Sequence, residues 1–326
     1  MSVPASLVNK KTGLVVRWAV SLACIAYLAR TMADQGRQLL ELTPSPSDWG
    51  LLLAGALVSG LAVVINGVAW AVLLRWLRCP LPAAQAVVVF AWTNLLKYVP
   101  GGIWHLAGRI QLLRRHGHGW GQAAMAVVLD PLLMAVAALL LLPLGGWQQG
   151  LGLLGPLAVV CLLAGWQRPL MKRLLRRVKL PRVGGSATAK LSPGPVLPGA
   201  FPGGPLLAET AFVLVRYLGF ALCAHGFLPP GTPPGSLLAA FALAWTAGLV
   251  VPGAPAGLGV FELVLVLWLG GVVQNDAALL ATALSYRVAS TMGDVLAAAG
   301  AWGVRGWTRC GPEADAEPCR PHRGRP

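Results

Sequence analysis

WGLLLAGALVSGLAVVINGVAWAVLL runs from Trp49 to Leu74 without one ionisable residue. As a helix it would be about 39 Å long, more than the roughly 30 Å hydrocarbon core of a bilayer. Only a helix satisfies every backbone N–H and C=O within itself at that depth. The run therefore reads as a membrane span, and similar runs recur along the chain. Gly13–Ala29, Gly119–Leu144, Trp147–Trp166, Pro205–Leu228 and Ala277–Val304 are long enough to cross. Three others are shorter: Leu81–Val99, Ser236–Val251 and Gly257–Val273.

Composition agrees. Of 326 residues, 56% are hydrophobic and 11% charged, against about 25% charged in soluble domains. The net charge of +15 would point to nucleic acid in a soluble protein, but no fold for that remains once the apolar runs are removed. The expected class is all-α: a polytopic integral membrane protein of about eight membrane segments. Lys10 and Lys11 precede the first run, which reads as a retained helix rather than a cleaved signal peptide, because Tyr27 and Arg30 crowd the cleavage zone. The six cysteines fall in no metal-binding spacing and read as reduced and structural.

Basic residues set the orientation. Lys10, Lys11 and Arg17, then Arg75 and Arg78, then the run from Arg168 to Arg182, then Arg305 to Arg325, all fall inside under the positive-inside rule if Leu81–Gly108 dips into the membrane and returns, which also puts Arg109, Arg114 and Arg115 inside. Both termini are then cytoplasmic, in the cytoplasmic (inner) membrane. The organisation expected is a cytoplasmic N-terminus (1–12), a first membrane half (13–166) and a basic amphipathic segment with a Pro/Gly-rich linker (167–204). A second membrane half (205–304) and a basic tail (305–326) follow.

Each half is interrupted once. The first interruption reads Lys97-Tyr98-Val99-Pro100-Gly101-Gly102-Ile103-Trp104 and leads to Arg109. The second reads Pro252-Gly253-Ala254-Pro255-Ala256-Gly257-Leu258-Gly259 and leads to Glu262. Proline removes a helix donor and glycine permits the turn that follows. Either each Pro-Gly is an interhelical turn at the surface, or the pair marks broken, re-entrant helices around a polar cavity. Interrupted segments in matching positions of two halves point to a transport site.

Ionisable groups inside the apolar runs are functional candidates, since each costs several kcal/mol to bury in lipid. Arg109, Glu262 and Arg287 adjoin the breaks or match the motif below. Asp130, Glu209 and Asp294 read as structural counter-ions, with Glu209 at an interface. Glu209 and Arg216 are seven residues apart, as are Arg287 and Asp294. Seven residues rise about 10 Å, so each must find its partner on another helix. His105 and His225 read as packing residues, and Trp104 as part of an interfacial belt.

The two interrupted motifs together resemble the lysylphosphatidylglycerol synthase transmembrane family. Lys97, Tyr98, Pro100, Gly101, Trp104 and Arg109 match its first motif. Pro252, Gly253, Gly257, Gly259 and Glu262 match its second, and Tyr286-Arg287 its late Tyr-Arg pair. The second motif is opened here by Ala254-Pro255-Ala256, and Phe261 stands where many relatives have Arg. The resemblance implies a module that flips an aminoacylated lipid between leaflets, without synthase activity. Those matched residues then line the translocation site, with Arg109 and Arg287 drawing the phosphate and Glu262 tuning charge. Anionic membrane lipid is the expected partner, together with a second copy of the chain or a lipid-modifying enzyme; no cofactor or metal is implied. The alternatives are an ion-coupled transporter of a small anionic solute and a non-catalytic partner of a lipid synthase or glycosyltransferase. No HExxH or GxSxG run is present to support an intramembrane enzyme.

Overall fold

The computed structural model describes residues 46–98, 104–145, 152–165, 201–251 and 257–309. The first expected span, the cores of both breaks (Pro100, Gly101, Pro252 and Gly253 among them), most of the basic linker and most of the tail lie outside the described residues. The described residues are helical and contain no strand. In chain order the helices are α1 (Pro46–Trp76), α2 (Ala83–Leu95), α3 (Trp104–Arg115), α4 (Trp120–Leu139), α5 (Leu154–Gly165), α6 (Gly203–His225), α7 (Pro234–Val250), α8 (Val260–Val273) and α9 (Asp276–Arg309). A 3-10 turn, Leu96–Tyr98, extends α2, and another covers Leu142–Leu144. The chain is a polytopic helical membrane protein.

Among the described residues, three stretches are long and apolar enough to cross a bilayer: Trp49–Trp76, Trp120–Leu144 and Gly203–His225. The helices flanking the breaks are shorter. α2 has 13 residues, α3 12, α7 17 and α8 14, all below the roughly 20 needed to cross. The run expected to span Trp147–Trp166 contributes the 12-residue α5 to the described residues.

α1 organises the bundle, packing along α6 and α9 and also on α2. Its two faces divide the work. Trp49, Leu53, Leu57, Leu61, Val64 and Val68 are exposed at helical spacing and form an apolar outer stripe. The opposite face carries small residues where neighbours approach closely. A Cβ on Gly55 would lie 2.8 Å from Cys223 Sγ, and one on Gly219 of α6 2.8 Å from Ser59 Oγ. Small residues drive helix association in lipid because close packing replaces the missing hydrophobic force.

The α1–α9 crossing depends on the same device. A Cβ at Gly293 would stand 2.6 Å from both the Ala56 carbonyl oxygen and the Gly60 nitrogen. Backbone cannot yield as a flexible side chain does. Gly293→Val is therefore expected to lower stability by about 1–3 kcal/mol, as overpacking does. Gly300→Ala on the same helix is the control, since nothing lies within 4 Å of its added Cβ. Thermal unfolding of the purified variants in detergent checks the contrast.

α4 is the most enclosed of the long helices, buried between α6, α7 and α3. Phe220, Phe241, Phe261 and Tyr286, one each from α6, α7, α8 and α9, form a ring cluster with centroids 5.1–6.1 Å apart. Phe261 and Tyr286 immediately precede Glu262 and Arg287, so this cluster fixes where those two charges stand.

Candidate functional site

The segment leading to the first break ends in the Leu96–Tyr98 turn, which aims two side chains at α9. Lys97 Nζ lies 2.6 Å from Asp294 Oδ2. The Tyr98 hydroxyl donates to the same oxygen at 2.6 Å and lies 3.3 Å from Thr291 Oγ1. Asp294 Oδ1 faces Arg216 of α6 at 3.5 Å, and that guanidinium also donates to the Ser59 carbonyl of α1 at 3.2 Å. Asp294 is fully buried, so α6 and the turn leading to the first break both meet α9 on one carboxylate.

The second break returns to the same helix two turns away. Gly257 has φ +70° and Gly259 φ +82°, the left-handed region that glycine enters without a Cβ penalty. A Cβ at Gly257 would also stand 2.7 Å from Gly248 Cα, so α7 and the start of α8 touch through backbone. Glu262 sits in the first turn of α8, where the Gly259 N–H donates to its Oε2 at 2.7 Å. That carboxylate satisfies an orphan donor and gains from the positive end of the helix. Its Oε1 accepts from Arg287 Nε at 2.8 Å, and Arg287 also donates to the Gly257 carbonyl at 2.6 Å. The guanidinium lies 5.2 Å from the Phe261 ring, a cation–π approach. Phe261, buried in the ring cluster, takes the position where an arginine was noted as missing.

Arg287, Thr291 and Asp294 therefore form one polar stripe on α9. Among the described residues, Lys97, Arg216 and Arg287 face Asp294 and Glu262 there, three cations against two carboxylates. The Lys97 and Arg287 side chains are each 24% exposed, while Glu262 and Asp294 are enclosed. Lys97 is within electrostatic range of both Arg216 and Arg287. The group thus presents a net positive charge through one basic side chain from the first break and one beside the second.

Residues 14–298 match the lysylphosphatidylglycerol synthase TM region. The chain belongs to this family. A comparison with curated proteins returns no match. Of the lysylphosphatidylglycerol synthase TM region positions expected from the sequence, the described structure gathers Lys97, Tyr98, Gly257, Gly259, Glu262 and Arg287 around α9. Trp104 opens α3 and is half-exposed.

Arg109 is not in that group. It lies buried on α3, where NH1 donates to Asp130 Oδ2 at 2.8 Å and Nε to Thr93 Oγ1 at 3.1 Å. Its guanidinium lies 3.8 Å from the Phe90 ring centroid and 5.7 Å from that of Trp70. Asp130 pairs with Arg109 as a counter-ion, in line with its reading from the sequence. Glu209, expected at an interface, is instead enclosed within the bundle, in electrostatic range of Asp130 and Arg109. Asp294, read from sequence as a counter-ion, is the junction of the whole site. Its position seven residues after Arg287 was the available signal, because that spacing returns to the same helix face.

Proposed function

We propose that this protein moves a phosphate-bearing polar lipid between the leaflets of the cytoplasmic membrane, without chemical change to it. Family membership supports a role in lipid modification or transport, and the tethering of both breaks to one face of α9 carries the finer reading. Lys97 and Arg287 are the partly exposed cations there, and the excess positive charge is complemented by a phosphate. A guanidinium binds phosphate through paired N–H donors and an ammonium through a point charge. Short helices leave backbone ends at depth, which is tolerable where they line a polar path. Both termini lie in the cytoplasm in this reading, and a lipid-modifying enzyme or a second copy is the natural partner.

The test is reconstitution into liposomes with headgroup-labelled lipids, scored by a membrane-impermeant quencher. The intact protein is expected to accelerate leaflet exchange of anionic phospholipids above protein-free vesicles. Lys97→Gln should fold, since Arg216 still faces Asp294, yet exchange roughly tenfold or more slowly. One charge-assisted hydrogen bond to the phosphate is worth ~1.5–3 kcal/mol, and each 1.4 kcal/mol is about a factor of ten. Exchange equal to that of empty vesicles for every lipid, with uptake of a labelled small anion instead, would replace lipid by solute as the cargo.

A further inference from the structure

The second buried charge cluster lies apart from the α9 stripe and holds two acids against one base. Asp130 of α4 is 2% exposed and Glu209 of α6 is 0% exposed. Arg109 engages one oxygen of Asp130; the other Asp130 oxygen and both Glu209 oxygens have no hydrogen-bond partner. An ionised carboxylate without a partner is too costly to hold at this depth, and such groups neutralise instead. Two like charges facing a single guanidinium cannot both stay ionised.

Among the described residues, the surroundings supply no second cation. α3 faces Glu209 with Arg109, and α4 faces it with Asp130. α1 has no ionisable residue between Trp49 and Leu74, and α7 has none at all. α9 packs on α6 through a helix whose Arg287 and Asp294 are committed to Glu262 and to Lys97 with Arg216. His105, one turn before Arg109 on α3, is in electrostatic range of both Arg109 and Lys97, and its Nδ1 has no partner.

We propose that Asp130, Glu209 and Arg109 bind one exchangeable proton shared between the two carboxylates, and that this proton is the coupling ion for transport. The coupling half rests on the transport reading above; the proton site does not. With the proton bound, the cluster is neutral: one acid, one carboxylate, one guanidinium. Release leaves a net negative charge that pulls on Arg109. That residue is the link between the break and the pair, because it sits on α3 just after the first break and ties it through Thr93 to α2.

The experiment uses the full chain in lipid nanodiscs and reads the infrared carbonyl stretch of a buried carboxylic acid at neutral pH. The native protein should show the band. Glu209→Gln should lose it, because Asp130 then pairs alone with Arg109 as an ion; Asp130→Asn should also lose it, because Glu209 inherits the guanidinium. Loss in both variants supports a shared proton. Absence of the band in the native protein, or its persistence in either variant, overturns it. In liposomes, an imposed pH gradient should change the lipid exchange rate of the native protein and leave Glu209→Gln unaffected. Exchange that ignores the gradient overturns the coupling. Lack of any exchange sinks the transport reading, while the infrared result still decides the proton site.

Discussion

Asp294→Asn is expected to be the most damaging conservative substitution in the chain. The amide keeps the size of the side chain but removes the charge that Lys97, Arg216 and the Tyr98 hydroxyl converge on. Arg216 is buried, and the Ser59 carbonyl and the face of the Tyr286 ring, 6.0 Å away, are neutral partners that cannot balance its charge. Stranding one member of a buried charge pair costs ~3–5 kcal/mol, enough to remove most of the stability of an ordinary domain. The effect should appear as lost folded yield and a lower thermal midpoint in detergent. Adding Arg216→Met should recover part of it, because the stranded charge goes with the side chain. If Asp294→Asn is as stable as Lys97→Gln, the junction assigned to Asp294 is wrong.

How much of this was legible in the sequence follows from the range of each signal. The apolar runs, their lengths and the two Pro-Gly interruptions are local, and the described helices beside the interruptions come out within a few residues of the expected bounds, whereas α5 begins at Leu154 in the run expected from Trp147. The family motifs are local as well. Pairing is not. Tyr98 reaches Asp294 across 196 positions, and no periodicity on either segment says which helix will face which. The spacing of Arg287 and Asp294 showed that they share a face and cannot pair with each other, and it stopped there. Glu209 was misplaced for a related reason. It sits near the start of an apolar run, which resembles an interface in one dimension, but α6 begins at Gly203 and α4 and α1 cover that turn. Burial within a bundle is set by neighbours, and neighbours are long-range information. Arg109 shows the same limit: its motif placed it beside the first break, while its guanidinium is committed to Asp130.

Glu262→Gln is expected to separate holding the break from handling the cargo. Glu262 accepts two hydrogen bonds at once, from the Gly259 N–H and from Arg287. Glutamine has one acceptor oxygen, so one of the two donors must face its NH2 group. If the oxygen keeps Gly259, Arg287 loses its carboxylate and holds the Gly257 carbonyl; if it keeps Arg287, the first turn of α8 regains an orphan donor. Either way a loss of ~1.5–3 kcal/mol is expected, the worth of a hydrogen bond to a charged group. The variant should fold, and lipid exchange should fall at least tenfold, because Arg287 is no longer held at its position in the path. The double variant Glu262→Gln with Arg287→Gln decides between the two roles. Two neutral amides can bond each other, so thermal stability should return toward the native value. If Arg287 contacts the phosphate, exchange stays lost despite the recovered fold. If exchange returns with stability, the pair only braces α8 against α9, and the cargo path must run past Lys97 without it.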